Sequence, residues 1–309
     1  EAFLDSLRGS EMNEKKEVEI YRPRPSPSSP PKDRVLYFPY MHDGATMIAA
    51  AARSIGVPSE VLPMQTEEDL ALGRKYTSSK ECFPMICTTG SFIKKLQEPG
   101  ADPSKMSFFM PDHNGPCRFG QYNQFHRILF DRLGYEKAEL ITPSNDTSYQ
   151  DIAGEHGMKF RINAWKGFVA FDYIRKLYRE IKVYEINKGE TERVYRDALK
   201  KVEQCIENNS KGLRKLLVSI AGEFMNIKTD RSRRRPVVAV LGEIFMRATG
   251  SLLQASRNSG FCVACSITDS PTLNGLSLFF KYLIATFQLL RPCLKRSPAG
   301  TEDIRPSIN

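Results

Sequence analysis

The chain predicts an α/β protein: parallel-sheet lobes of the doubly wound type with a helical middle segment, the second lobe incomplete or divergent. Three observations predict it. Short apolar runs rich in aromatic and β-branched residues, at 35–40, 106–110 and 138–142, alternate with stretches of helical period. Between 146 and 230 the period is helical throughout. At 236–242 the β-branched run Pro-Val-Val-Ala-Val-Leu-Gly reopens the strand pattern. With 309 residues the chain is long enough for two domains and a sizeable core.

Taken in order, residues 1–32 are charged and end in Arg22-Pro-Arg-Pro-Ser-Pro-Ser-Ser-Pro-Pro31, which reads as a flexible Pro/Ser-rich arm. The first residue is Glu1, and the chain reads as a piece of, or a joint within, something longer. The first α/β lobe spans 33–150. It opens with a strand at 35–40 and a turn at Met41-His-Asp-Gly44, followed by an Ala-rich helix at 46–54 that Gly56 stops. Strands at 60–63, 106–110 and 138–142 follow, with helices after Gly90 and at 122–133. The helical segment, 151–234, holds helices at 162–181, 190–207 and 213–225, with Asn208 and Asn209 at the last break. Residues 235–309 begin a second α/β lobe and end in an atypical tail.

Charge narrows the partners. A formal charge of +9 and a pI near 9.1 suit an anionic partner without choosing one. The run Arg231-Ser-Arg-Arg-Arg235 has no interleaved aromatics and no binding module around it, so it reads as a solvated face, and no nucleic-acid partner is expected. The apolar stretch 276–290 is interrupted by Lys281 and Gln288 and is short for a span, so it reads as a buried or interfacial helix and no membrane is expected. No Walker-type phosphate loop is present, and Asp43-Gly44 is too little to make a nucleotide site. Seven cysteines, an odd number without a signal peptide ahead of them, suit the reducing cytoplasm, where thiols are ligands or buried residues.

Two cysteines stand at junctions. Asp112-His-Asn-Gly-Pro-Cys-Arg-Phe-Gly-Gln-Tyr122 lies between the strand at 106–110 and the helix at 122–133, and Gly115 and Pro116 shape a tight turn before Cys117. Amides of a helix's first turn favour a thiolate, which suits a metal ligand or a reactive cysteine; the competing reading is a small buried hydrophobe. Lys80-Glu-Cys-Phe-Pro-Met-Ile-Cys87 looks like a second junction of similar design, followed by Phe92, Ile93 and Leu96 on one helical face.

Glu81-Cys82-Phe83-Pro84, Thr89-Gly90-Ser91 and above all Gly115-Pro116-Cys117-Arg118-Phe119-Gly120-Gln121-Tyr122 resemble motifs of the 2-hydroxyacyl-CoA dehydratase and activase-related family. The resemblance covers roughly 35–247, where Gly242-Glu-Ile-Phe-Met-Arg247 is its last match; a shifted reading frame, a mis-joined end or real divergence would account for the rest. It implies a [4Fe-4S] or related iron–sulfur cluster with Cys82 and Cys117 as ligands, a third ligand beyond Arg247, and Arg118 offsetting cluster charge. Cys87 is a further, unmatched candidate, and His113 is placed to donate a proton or hydrogen bond. The implied partners are an ATP-dependent activator that delivers low-potential electrons, a CoA-thioester substrate and a second dehydratase-like subunit. As an enzyme the chain would be a component of a lyase; the alternative is a non-catalytic scaffold that holds a cluster or docks the activator, and a third, less favoured reading is a basic nucleic-acid-binding protein. Cys262-Val-Ala-Cys265 has a metal or redox spacing but neither a second pair nor histidines beside it, and a packed strand competes with ligation. Cys205 and Cys293 read as incidental.

Overall fold

The structure is a computed structural model. It describes residues 33–78, 80–112, 117–143, 152, 154–232 and 245, and the backbone of 237–239 and 262–264. The arm 1–32, the tail from 265 and the stretch 276–290 lie outside the described residues. Among the described residues no helix is long and apolar enough to cross a membrane.

The expected parallel-sheet α/β fold is present. Strands β1 (Val35–Phe38), β2 (Ser59–Val61), β3 (Met106–Phe109) and β4 (Glu139–Ile141) form one all-parallel sheet in the order β2-β1-β3-β4. The register sets Leu36 against Ser59 and Ser107, and Phe108 against Leu140. All four β3 residues are buried, as a strand covered on both faces requires. Phe108 packs on Phe92 and Phe130 at ring separations of 4.9 and 5.3 Å, with Ile93 and Leu140 in the same core. The chain leaves β1 for β2 on one side and returns for β3 on the other. The order therefore reverses between β1 and β3, and the crevice outside their carboxyl ends is where such sheets gather ligands.

Seven α-helices lie in the described residues: α1 (Ala45–Arg53), α2 (Glu67–Tyr76), α3 (Phe83–Leu96), α4 (Tyr122–Arg132), α5 (Gly157–Lys182), α6 (Glu190–Glu207) and α7 (Leu213–Met225). Two differ from expectation. The sequence pattern missed α2, whose buried residues are only Asp69 and Gly73, so no apolar stripe announces it. It is set by a capping box in which Thr66 and Asp69 exchange backbone and side-chain bonds, and Lys94 of α3 reaches Asp69 at 3.3 Å. The helix expected after Gly90 begins instead at Phe83, with Pro84 in its first turn, and Gly90 sits mid-helix. The reason for a glycine there is packing. A Cβ on Gly90 would lie 1.8 Å from the Asp69 carbonyl oxygen, and one on Gly73 would lie 2.0 Å from that of Ile86, so α2 and α3 touch backbone to backbone.

The contacts divide the chain into two compact units, with a boundary inside α5 between Lys159 and Phe160. The first holds the four-stranded sheet with α2, α3 and α4. The second holds 41–54 and the described residues from Phe160 onward. The sequence boundary placed α1 in the sheet lobe, but its contacts group it with the helices. Its Arg53 pairs with Glu203 at 2.7 Å and Glu207 at 3.1 Å, and its Met47 fills the space where Gly167 lacks a side chain. Asn163 donates to Ser54 Oγ at 2.9 Å and to the Ile206 carbonyl at 2.8 Å. Between α6 and α7 the chain turns through Asn209 and Ser210 at φ 58° and 57°. Lys201 and Glu223 join the two helices at 2.7 Å. Strands β5 (Val237–Ala239) and β6 (Cys262–Ala264) form a separate parallel pair with Val237 opposite Cys262. The expected reopening of the strand pattern is thus present at β5, and Cys262 falls on a strand.

Candidate functional site

Cys82 caps the amino end of α3, with extended backbone at φ −72° and ψ 150°, and its carbonyl accepts from Met85 N at 2.9 Å. The segment before it comes from α2, so this junction joins helix to helix and is not the strand-to-helix turn the sequence suggested. Glu81 fixes the approach by accepting from Ser78 N and Oγ at 2.9 and 3.0 Å. Cys117 follows β3 and is exposed. It caps a single 3-10 turn, Arg118–Gln121, while Gln121 caps α4. Cys117 is therefore one turn removed from the α4 amides that the sequence reading assigned to it.

The two junctions meet. Arg118 Nη1 donates to the Lys80 carbonyl oxygen at 2.8 Å, and Cys82 Sγ and Tyr122 Oη are in hydrogen-bond contact. Tyr122 is 2 % exposed, and its ring stands edge-on to Phe119 at 5.2 Å. The segment carrying Cys82 is thus held against the segment carrying Cys117 at two points. Arg118 was expected to offset charge; it also grips the neighbouring turn through a backbone oxygen. Behind Tyr122 lies fully buried His126, whose Nε2 is 3.0 Å from Thr89 Oγ1. Loss of hydration pushes His126 down to about 3, so the imidazole is neutral. Sequence reasoning missed this histidine; its only signal was its place one helical turn after Tyr122.

The remaining cysteines separate from these two. Cys87, a candidate ligand on sequence, is buried inside α3. Loss of hydration first and the Asp69 charge second, opposed by Arg74, push its thiol up to about 11. In the metal-free chain burial thus favours the protonated thiol. Cys205 Sγ lies 3.4 Å from the Lys211 carbonyl, and loss of hydration raises its thiol too. Cys265, Cys293, His113, Gly115 and Pro116 lie outside the described residues.

Among the described residues no group of three or more His, Cys, Asp or Glu side chains is arranged to hold a metal ion. A cubane takes thiolate sulfur from three or four cysteines. Cys82 is half-buried and Cys117 exposed, two cysteines where such a cluster takes three or four.

A second polar cluster lies in the helical unit, where the sequence suggested only a turn. His42 Nδ1 accepts from Gly44 N at 2.9 Å, and its ring stacks on Phe171 at 5.1 Å. Loss of hydration first and Arg175 second, against Asp43, push His42 down to about 4. Asp43 accepts from Tyr195 Oη at 2.8 Å and pairs with Arg196 at 3.6 Å. A neutral imidazole that accepts its own loop's amide is a folding device, and the cluster anchors the start of α1.

No protein-family model matches the chain, and neither a curated protein nor a solved structure matches it.

Proposed function

We infer that the chain is an iron–sulfur protein of the reducing cytoplasm, with Cys82 and Cys117 as two thiolate ligands of a [4Fe-4S] or related cluster. The observation that carries this reading is the convergence of two cysteine-bearing turns, joined by the Arg118 bond to the Lys80 carbonyl and by the Tyr122–Cys82 contact. Together with the motifs around both cysteines, it favours a protein related to 2-hydroxyacyl-CoA dehydratase subunits. Such a protein receives low-potential electrons from an ATP-dependent activator for reduction or dehydration of a CoA thioester, alongside a second dehydratase-like subunit. When bound, the cluster supplies one-electron reducing power and, where the protein leaves an iron open, a site for an oxygen ligand. The chain's own part would be to supply the two thiolates. Arg118 joins the two segments through the Lys80 carbonyl and would set a cation near the thiolates, of which that of Cys117 is exposed.

The test is anaerobic purification of the protein with assay of iron and acid-labile sulfide, repeated for Cys82→Ala and Cys117→Ala. Stoichiometric iron in the parent and its loss in both variants is the expected result. A colourless, metal-free parent, or iron retained at parental level in both variants, overturns the reading.

A further inference from the structure

His126 stands one turn into α4 and is 0 % exposed. Its Nε2 meets Thr89 Oγ1 of α3 at 3.0 Å, and its Nδ1, equally shielded, has no hydrogen-bond partner among the described residues. Aromatic rings enclose it, with centroids at 4.9 Å for Phe92, 6.0 Å for Phe125 and 6.4 Å for Tyr122. A neutral imidazole suits this place. An imidazolium does not, because both of its nitrogens must donate and Thr89 offers one oxygen.

We propose that His126 is an acid-sensitive latch between α3 and α4: once protonated it cannot keep its site, so α4 parts from α3 and the segments at their amino ends lose their grip on each other. Cys82 caps α3 and Tyr122 begins α4, so these are the ends where the Arg118–Lys80 and Tyr122–Cys82 contacts lie. The latch acts whatever Cys82 and Cys117 hold.

The charged and titratable side chains on the packed elements are engaged elsewhere and offer the cation no carboxylate. On α3, Lys94 bonds to Glu68 and Asp69, Lys95 bonds to Glu98, and the Cys87 thiol is buried. On α4, Tyr122 meets Cys82, Arg127 bonds to the Ala138 carbonyl and to Asp131, and Arg132 is exposed. Strand β3, in the same core, carries no titratable side chain. Loss of hydration alone takes the imidazole from its ordinary 6.5 down to about 3 in the closed state. Between those values the opened state binds a proton that the closed state refuses, so opening grows as the pH falls, by about tenfold per pH unit.

The test is hydrogen exchange of the full chain between about pH 7 and 5, a range in which ordinary carboxylates stay charged, with rates corrected for intrinsic exchange. In the parent, α3 and α4 amides should open about tenfold more often at each lower pH unit below 6.5. The rise should vanish in His126→Gln, whose amide can still meet Thr89 and takes no proton, and in His126→Leu, which fills the site with an apolar side chain. A parent profile flat over this range, or a rise that persists in either variant, overturns the latch. So does a parent in which nitrogen NMR shows all four histidines charging near 6.5 while the α3 and α4 amides stay protected, a readout that needs no variant. Neither measurement involves iron, so the latch and the cluster reading fail separately.

Discussion

Cys87 and Cys117 carry the same thiol, yet their surroundings set them apart. Cys87 is dehydrated inside α3 with Asp69 nearby to oppose a second negative charge, whereas Cys117 is exposed. Reactivity belongs to the thiolate, and reagents need access to it. In native, metal-free protein treated with iodoacetamide near neutral pH, peptide mass analysis should therefore show Cys117 modified first and Cys87 unmodified until denaturant is added. Cys87→Ala should leave iron content at the parental level. Equal labelling of the two in the native state would contradict the assigned burial. The residue types at this site were legible in sequence, because Gly-Pro-Cys-Arg and Glu-Cys-Phe-Pro are compact local patterns. The Tyr122–Cys82 contact was not, since it joins positions 40 residues apart and depends on how two turns are placed by a sheet.

Among the elements, α6 and α7 could be bounded from their apolar periods and the Asn208–Asn209 break, and the structure adds Gly189 and Gly212, at φ 92° and 76°, ahead of their starts. By contrast, α2 was hidden. It meets α3 backbone to backbone at Gly73, and its Leu72 and Tyr76 are only partly buried against the core, so its apolar pattern is faint. Gly90→Ala places a methyl against the Asp69 carbonyl, so the α2–α3 contact must open; the expected cost is on the order of 1–3 kcal/mol, read as a lower urea midpoint. A second element-level device is Glu185, whose side chain is 1 % exposed. It accepts from Gly189 N at 3.1 Å, Thr191 N at 2.9 Å and Lys182 Nζ at 2.8 Å, supplying the cap that Gly189 cannot. Burial alone would raise its carboxyl, but the Lys182, Thr191 and Gly189 bonds outweigh burial and hold it down at about 2. Its stabilising contribution is therefore full above about pH 4.5 and is lost as the pH falls toward 2. Glu185→Gln should lower stability at pH 7 by about 1 kcal/mol, as loss of a helix cap does, and flatten the acid limb of the stability curve over that window.

For the whole molecule, the parallel α/β class was readable from the alternation of apolar runs, while the grouping of α1 was not. An Ala-rich helix looks the same whichever partner it packs on, and only Arg53 with its two glutamates reveals the choice. The two units can be followed separately. Trp165 is the chain's single tryptophan and lies on α5 in the helical unit, and Cys87 lies on α3 in the sheet unit. In urea, Trp165 fluorescence should report the former and Cys87 alkylation the latter. Gly90→Ala is expected to move the Cys87 transition to lower urea and leave the Trp165 transition in place. If both move together, the units unfold as one cooperative body.

Arg118 takes hold of position 80 through its peptide oxygen, and the Lys80 side chain is exposed and takes no part in that bond. Position 80 is thereby free to drift under mutation while position 118 is constrained, an asymmetry that a survey of tolerated substitutions would expose. The same freedom makes Lys80 a natural attachment point for a fluorophore or spin label. A reporter there would sit beside the converging turns without disturbing the bond that joins them.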